Sequence, residues 1–421
     1  MNGLLGNSTL ISEVNLRLML QSVRVMQPTY RSAVARHTGL SRATVTVGVN
    51  ALLERNVLEE IDDAPPAPRR ASGGRPPRLL RVNARAKQVL AIDIEPDCLR
   101  VALTDMLAHP LEVRECPIDR REGSRRIVRR LLELGQSILK AHGNPDLLGV
   151  GICLPGLIDR ENGLAVSSTN MPRWRNVPIR RMVEEAFGAP VHMDRSMNLA
   201  ALHEWWLHPE LESCRVVLLS LRTGIGLSLM DRGQIYRGRQ DSSGEIGHTV
   251  IDIHGPPCEC GGQGCLECFV STRAVTARGQ RLVDQEPGGR LAQAVVADPP
   301  LRPQLIYRLA KAGDPACEAL VRDIARYIGI AASNAINLLA PDHLLIAGSI
   351  DTADTIILDE VGKQIGRLAL PRLRRGMRLG LATAQEQAPL LGAAALVARQ
   401  VFELPKLRRV TSGPEQDAAA G

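Results

Sequence analysis

Aromatic residues are scarce. Three Trp, four Tyr and three Phe make up 2% of 421 residues. That is too few for the stacking platforms on which single-stranded nucleic acids lie. No apolar run of about 18 residues occurs, so no membrane span is expected. The N-terminus lacks the charged, apolar, small-residue order of a secretory signal. The nine Cys are odd in number and show no disulfide-framework spacing. These absences point to a reducing cytoplasm.

Charge is missing from most of the chain once the signs are balanced. Residues 1–88 hold 13 Lys and Arg against 6 Asp and Glu, while the remainder holds 39 of each. The whole net charge of +7 therefore sits in the first fifth. A basic N-terminal module on a neutral body implies that the module meets a polyanion and the body has a different task. The length allows two or three domains.

What is there is organised around residues 244–267. Cys258, Cys260 and Cys265 share one glycine-punctuated loop, and His248 lies ten residues upstream of the first. Three thiolates and one imidazole complete the tetrahedral set of a structural zinc ion. Gly261, Gly262 and Gly264 let the backbone turn tightly enough for the sulfurs to converge. Such a site is closed and leaves no position for a catalytic water. The competing reading is three unrelated thiols in a flexible loop.

Gly244-Glu245-x-Gly247-His248, followed by Cys258-x-Cys260-Gly261-x-x-Gly264-Cys265-x-Glu267, resembles the signature of the ROK family (repressors, open reading frames and sugar kinases). The resemblance implies that His248, Cys258, Cys260 and Cys265 hold zinc. It also implies that Glu245, His248 and Glu267 face a sugar, the zinc bracing that wall. It extends over about residues 13–400. The implied fold is α/β, two lobes of the actin-like ATPase (ribonuclease H-like) sugar-kinase type around a cleft. The lobes are expected over residues 88–200 and 201–400, and a disordered polar tail over 405–421.

Residues 10–83 read as a winged helix-turn-helix. Apolar positions recur at helical spacing over 13–26, a short helix follows over 30–37, and Thr38-Gly39-Leu40 makes the turn. Ser41 is a candidate N-cap for a third helix reaching about Arg55. Its N-terminal end carries Arg42, Thr44 and Thr46, the part of a recognition helix that meets base edges. Val45, Val49, Leu52 and Leu53 are its candidate core face. Residues 57–61 and 79–82 read as wing strands. From Arg69 to Lys87 there are seven basic residues and no acidic one. Gly74-Arg75-Pro76 resembles the wing segment of ROK repressors, which makes Arg75 a candidate minor-groove contact. A solvated Pro/Arg linker is the competing reading. The expected partner is double-stranded operator DNA.

Two departures from the family's kinases bear on activity. Where those kinases read Asp-x-Gly-Gly-Thr-Lys, this chain has Asp93-Ile94-Glu95-Pro96-Asp97-Cys98. The carboxylates repel a triphosphate, and Pro96 removes an amide donor. Arg222-Thr223-Gly224-Ile225-Gly226 resembles the second phosphate loop. Asn198, Ala200, Ala201 and Glu204 set the register of the other motif, which puts Ser196 at the general-base position and Arg195 just before it. Loss of a positioned base costs about 10²–10⁴ in rate. Asp194 lies on the same strand face but roughly 6–7 Å from the required place, so it is not expected to replace the lost base. Arg195 suits an anionic group on a ligand, or equally Glu245 or solvent. Asn170, in Ser167–Trp174, is a candidate sugar contact or a turn residue.

Later helices are expected over 270–285, 288–297, 302–312 and 314–339, strands over 343–347 and 379–382, and a close-packing helix over 392–399. The expected function is transcriptional repression of carbohydrate genes under a sugar-like effector, without catalysis. A homodimer or tetramer would read a near-palindromic site. The alternatives are a ROK sugar kinase with an appended DNA-binding module, and a zinc-stabilised interaction protein without a small ligand.

Overall fold

Three helices and a two-stranded sheet form the N-terminal unit: α1 (Ser8–Met26), α2 (Arg31–Thr38), α3 (Arg42–Glu54), β1 (Leu58–Ile61) and β2 (Leu79–Val82). Gly39 ends α2 at φ 71°, a left-handed turn that favours glycine. The Ser41 side chain then accepts from Thr44 N and starts α3. Met19, Val23, Val34, Val45, Val49, Leu52, Leu58 and Leu80 close the core, each no more than 4% exposed. β1 and β2 pair antiparallel, Leu58 opposite Val82.

The computed structural model describes residues 8–61, 78–168, 170–348, 350, 353–383 and 385–402. Residues 8–86 with 399–402 group as one unit and Lys87–Ala398 as another. Arg75 and the expected tail over 405–421 lie outside the described residues. Among the described residues, no helix is long and apolar enough to cross a membrane.

The larger unit repeats one strand plan. Its first half runs β3 (Gln88–Ile94), β4 (Cys98–Asp105), β5 (Pro110–Pro117), α4 (Ser124–Ala141), β6 (Leu147–Leu154), β7 (Leu157–Asp159), β8 (Leu164–Ser167), β9 (Arg175–Val177), α5 (Ile179–Phe187), β10 (Val191–Arg195) and α6 (Ser196–Leu207). The second half runs β11 (Arg215–Leu221), β12 (Ile225–Asp231), β13 (Gln234–Ile235), α7 (Glu267–Val270), α8 (Thr272–Gln285), α9 (Arg290–Ala297), α10 (Pro303–Lys311), α11 (Pro315–Leu339), β14 (His343–Gly348), α12 (Asp354–Leu368), α13 (Pro371–Arg374), β15 (Arg378–Leu381) and α14 (Ala388–Phe402). The five-stranded sheets are ordered β10-β6-β3-β4-β5 and β13-β12-β11-β14-β15. In each, an antiparallel three-stranded meander leads and two parallel strands follow. The turns β3–β4 and β11–β12 are therefore equivalent positions.

Strand cores such as Val89–Ile94 and Val216–Leu221 are buried runs, as covered sheets require. A Cβ on Gly392 would lie 1.9 Å from Leu199 O, so α14 meets α6 at backbone contact. Not anticipated were β5, the small sheet β7-β8-β9, and helices α5, α6, α12 and α13. The strand that carries Asp194 ends at Arg195, and α6 begins at Ser196. At this junction the Asp194 carboxylate accepts from Arg195 N at 2.8 Å and from Asn198 Nδ2 at 2.9 Å.

Candidate functional site

One cavity of about 100 Å³ is lined by all five expected effector contacts, Asn170, Arg195, Glu245, His248 and Glu267. The β11–β12 turn lies at its centre. Gly224 has no side chain to intrude: a Cβ there would stand 3.4 Å from Asn170 Nδ2 and 3.6 Å from Glu267 Oε2. Glu267 opens α7 and accepts from Ile225 N at 3.0 Å, which ties its carboxylate to the turn. Asn170 is set between buried Met171 and Trp174 on one side and the cavity on the other. A second cavity, about 500 Å³, shares Pro96, Asn170, Thr223 and Glu267 with the first. Together they reach the roughly 300–1,000 Å³ of small-molecule sites.

Arg195 is already committed. Its guanidinium donates to Ser243 O at 2.9 Å, to Asp241 O at 3.2 Å, and to the Glu245 carboxylate. It stiffens the loop leading to Glu245, and nothing in this arrangement favours an anionic ligand. Of the three arrangements open in the sequence, the pairing with Glu245 is the one found.

His248, Cys258, Cys260 and Cys265 bring their ligand atoms within 4.8 Å of one another. Cys260 Sγ and Cys265 Sγ stand 3.7 Å apart, and His248 Nδ1 stands 3.7 Å from Cys258 Sγ. A tetrahedron built on bonds of about 2.3 Å to sulfur and 2.0–2.1 Å to nitrogen has edges of roughly 3.5–3.8 Å. The spacing thus fits a four-coordinate ion and is far beyond a disulfide of about 2.05 Å. Pairings Val250–Cys265 and Pro257–Gln263 hold the loop. The Gly262 amide pulls Cys260 below its ordinary range, whereas burial pushes Cys265 up to about 12. A divalent cation would override the second shift by deprotonating the thiol. His248 joins both places: its ring faces the sulfurs, and the residue lines the cavity.

The opposite end of the cleft is lined by the protein's own charges: Glu95, Arg100, Arg222 and Glu386 border a cavity of about 560 Å³. Arg222, at the β11–β12 turn, bonds Asp93 Oδ2 at 3.2 Å and Glu95 Oε1 at 2.5 Å, both from the β3–β4 hairpin. Arg100 reaches Glu386 at 2.7 Å, with Asp93 at 3.7 Å and Glu115 at 3.6 Å. Asp93 and Arg222 are buried, their side chains 1% and 8% exposed. Burial pushes Glu95 up to about 7, with Asp93 adding to the push and Arg222 opposing it. A triphosphate approaching this turn meets carboxylates whose guanidinium partner is already used. Arg222 was quoted in the sequence only as part of a loop. Its role depends on a contact with a distant hairpin that no local pattern displays.

Ser196 lines the cavity as the first residue of α6. Asp194 is not a substitute base. It is 1% exposed, does not line the cavity, and is bonded to Arg195 N, Asn198 Nδ2 and, at 2.6 Å, Arg237 Nη1. Asn198 accepts from Ser228, and Glu204 accepts from Thr383 N and Oγ1. Both are internal braces.

In the N-terminal unit, Arg42 and Thr46 are exposed on α3. The Thr46 hydroxyl donates to Arg42 O at 2.8 Å. Thr44 belongs to the cap: it is half-buried, and its hydroxyl lies 2.8 Å from Ser41 Oγ.

Comparison with known proteins draws on the whole chain. The xylose repressor of Caldicellulosiruptor bescii is 27% identical over 404 residues, covering 96% of this chain and 100% of its own length. The glucokinase of Halalkalibacterium halodurans is 28% identical over 320 residues, covering 75% of this chain and 97% of its own length. A crystal structure of a ROK family transcriptional regulator, a homologue of the Escherichia coli MLC protein, superposes with a TM-score of 0.76 at 24% identity. It spans 93% of this chain and 97% of the other. That likeness shows the fold, and the ROK family model matches residues 89–400. The chain belongs to the ROK family.

Proposed function

We propose that this chain is a sugar-responsive transcriptional repressor without kinase activity. Its helix-turn-helix binds double-stranded operator DNA through Arg42 and Thr46, with Thr44 holding the helix start and Arg75 reaching the minor groove. Its cleft binds a neutral sugar at Asn170, Glu245, His248 and Glu267. A structural zinc ion held by His248, Cys258, Cys260 and Cys265 would fix the wall that carries His248 and Glu267. That ligand set is closed, so the ion braces and does not react.

The observation that carries the reading is the ion-pair cluster at the phosphate end. Arg222 pairs with both Asp93 and Glu95 and is thereby withheld from a nucleotide's phosphates. Ser196 adds the loss of the base. The match to a repressor over its full length supports the repressor reading. The effector acts by preferring one arrangement of the lobes. In a cytoplasmic homodimer or tetramer, that preference changes the spacing of paired recognition helices.

The test is a thermal-shift screen of xylose, hexoses and N-acetylhexosamines, with ADP release followed in the same samples. One sugar should raise the melting temperature with no ADP formed. Sugar-dependent ADP release by the purified chain would refute the non-enzymatic reading. A screen in which no sugar binds would favour an interaction protein without a ligand.

A further inference from the structure

The outward face of α3 is more apolar than a base-reading helix needs for hydrogen bonding. Val45, Gly48, Val49 and Leu52 face inward and are buried. A Cβ on Gly48 would lie 2.5 Å from Met19 Cε, so the inward face presses on α1 and the helix's rotation is set. Opposite stand Arg42, Ala43, Thr46, Val47 and Asn50, all exposed. Val47 is 71% exposed, a β-branched residue held in solvent in the middle of the helix.

The polar groups around it are largely committed. The Thr46 hydroxyl donates to Arg42 O, which leaves its methyl as the outward part. The Thr44 hydroxyl serves the cap. Asn50 Oδ1 accepts from Arg31 at 2.9 Å, and Arg31 is bonded in turn to Glu60. What remains at the centre is a patch of methyl groups from Ala43, Thr46 and Val47. The patch sits on a module with 13 basic and 6 acidic residues through position 88, with Arg36 and Arg42 exposed nearby. Its complement is a polyanion that also offers an apolar group at groove depth. Thymine is the DNA base with such a group in the major groove, its C5-methyl.

Resting on the DNA-binding reading above, we infer that α3 recognises thymine by methyl contact, and that Val47 sets the base preference at its position. Ala43 and the Thr46 methyl extend the contact. Arg42 supplies affinity through the backbone or a neighbouring base.

The experiment uses the full zinc-loaded chain. An operator is first selected from random-sequence duplexes. Each thymine in it is then replaced, one at a time, by deoxyuridine, which lacks only the methyl. Affinities are read by fluorescence anisotropy at fixed salt. At one thymine of each half-site, the replacement should weaken wild-type binding about fourfold, the effect of one unburied methyl. Val47→Ala should bind the thymine duplex more weakly by a similar factor and lose discrimination between thymine and deoxyuridine there. Its melting temperature should match wild type, because the side chain is exposed. If an operator is selected but no deoxyuridine weakens binding, the inference falls while the DNA-binding reading stands. It falls equally if Val47→Ala still discriminates. If no sequence is enriched, the DNA-binding reading falls first and takes the inference with it.

Discussion

The two ends of the cleft are built on opposite terms. At one end, Asn170, His248 and Glu267 stand around open space, braced from behind by four converging ligand atoms. At the other, Arg222 pairs with Asp93 and Glu95, so the space beside them is bordered by charges already committed to one another. The contrast is sharper because the β3–β4 and β11–β12 turns hold equivalent places in sheets of the same plan. The second turn keeps Gly224, whose missing side chain leaves room at Asn170 and Glu267. The first has exchanged glycines for carboxylates, and one arginine spans the gap. The candidate sugar contacts and the ion-pair cluster thus sit on equivalent turns but use their side chains differently: one set faces the cavity, the other pairs internally.

The largest effect should come from breaking the cluster. Arg222→Ala takes the nearest cation from buried Asp93 and from Glu95, and should cost about 3–5 kcal/mol of stability, read by urea unfolding. Adding Asp93→Asn and Glu95→Gln should recover much of that loss, because no unpaired buried charge remains. Failure to recover would mean that Arg222 matters for packing more than for charge.

At the other end, Cys260→Ser should lower bound zinc well below one per chain and abolish the sugar-induced thermal shift. The cluster at the phosphate end should be unaffected. A variant that keeps full zinc and full response would remove the bracing role.

A smaller effect should appear in the pH dependence. Glu95 is held at about 7, above its ordinary 4.5. A carboxyl raised on folding adds stability below its unfolded value and loses it as pH rises through the folded one. Measured against Glu95→Gln, the wild type should lose stability between pH 4.5 and 7 and level off above. An opposite slope would mean that Arg222 dominates and Glu95 stays ionised.

The smallest expected change is none at all. Ser196→Asp places a carboxylate at the base position but leaves Arg222 paired with Asp93 and Glu95 at the phosphate end. It should therefore yield no sugar-dependent ADP release. Turnover in this variant would show that the base alone was missing.

The sequence made much of this visible where residues act locally. Ser41 could be read as a cap because capping spans three residues, and the glycine-rich cysteine loop because its ligands lie within 18 positions. The long helix α11 was legible from its apolar periodicity. β5 was not: its residues alternate between half-buried and exposed, so neither face carries a strong apolar signal. The helix start at Ser196 was missed because no side-chain cap marks it: Arg195 is the N-cap and makes no capping bond. Arg222 was missed as a functional residue because its partners lie in the equivalent turn of the other lobe. Patterns along the chain give elements and short motifs; charge pairing across a cleft requires the fold.

The most direct measurement is operator affinity across a sugar panel, each sugar tested with and without Mg-ATP. The account predicts that one sugar changes the dissociation constant by about 5- to 150-fold, equally with and without nucleotide, and that no phosphorylated sugar is recovered. A shift that requires ATP, accompanied by phosphorylated sugar, would contradict it.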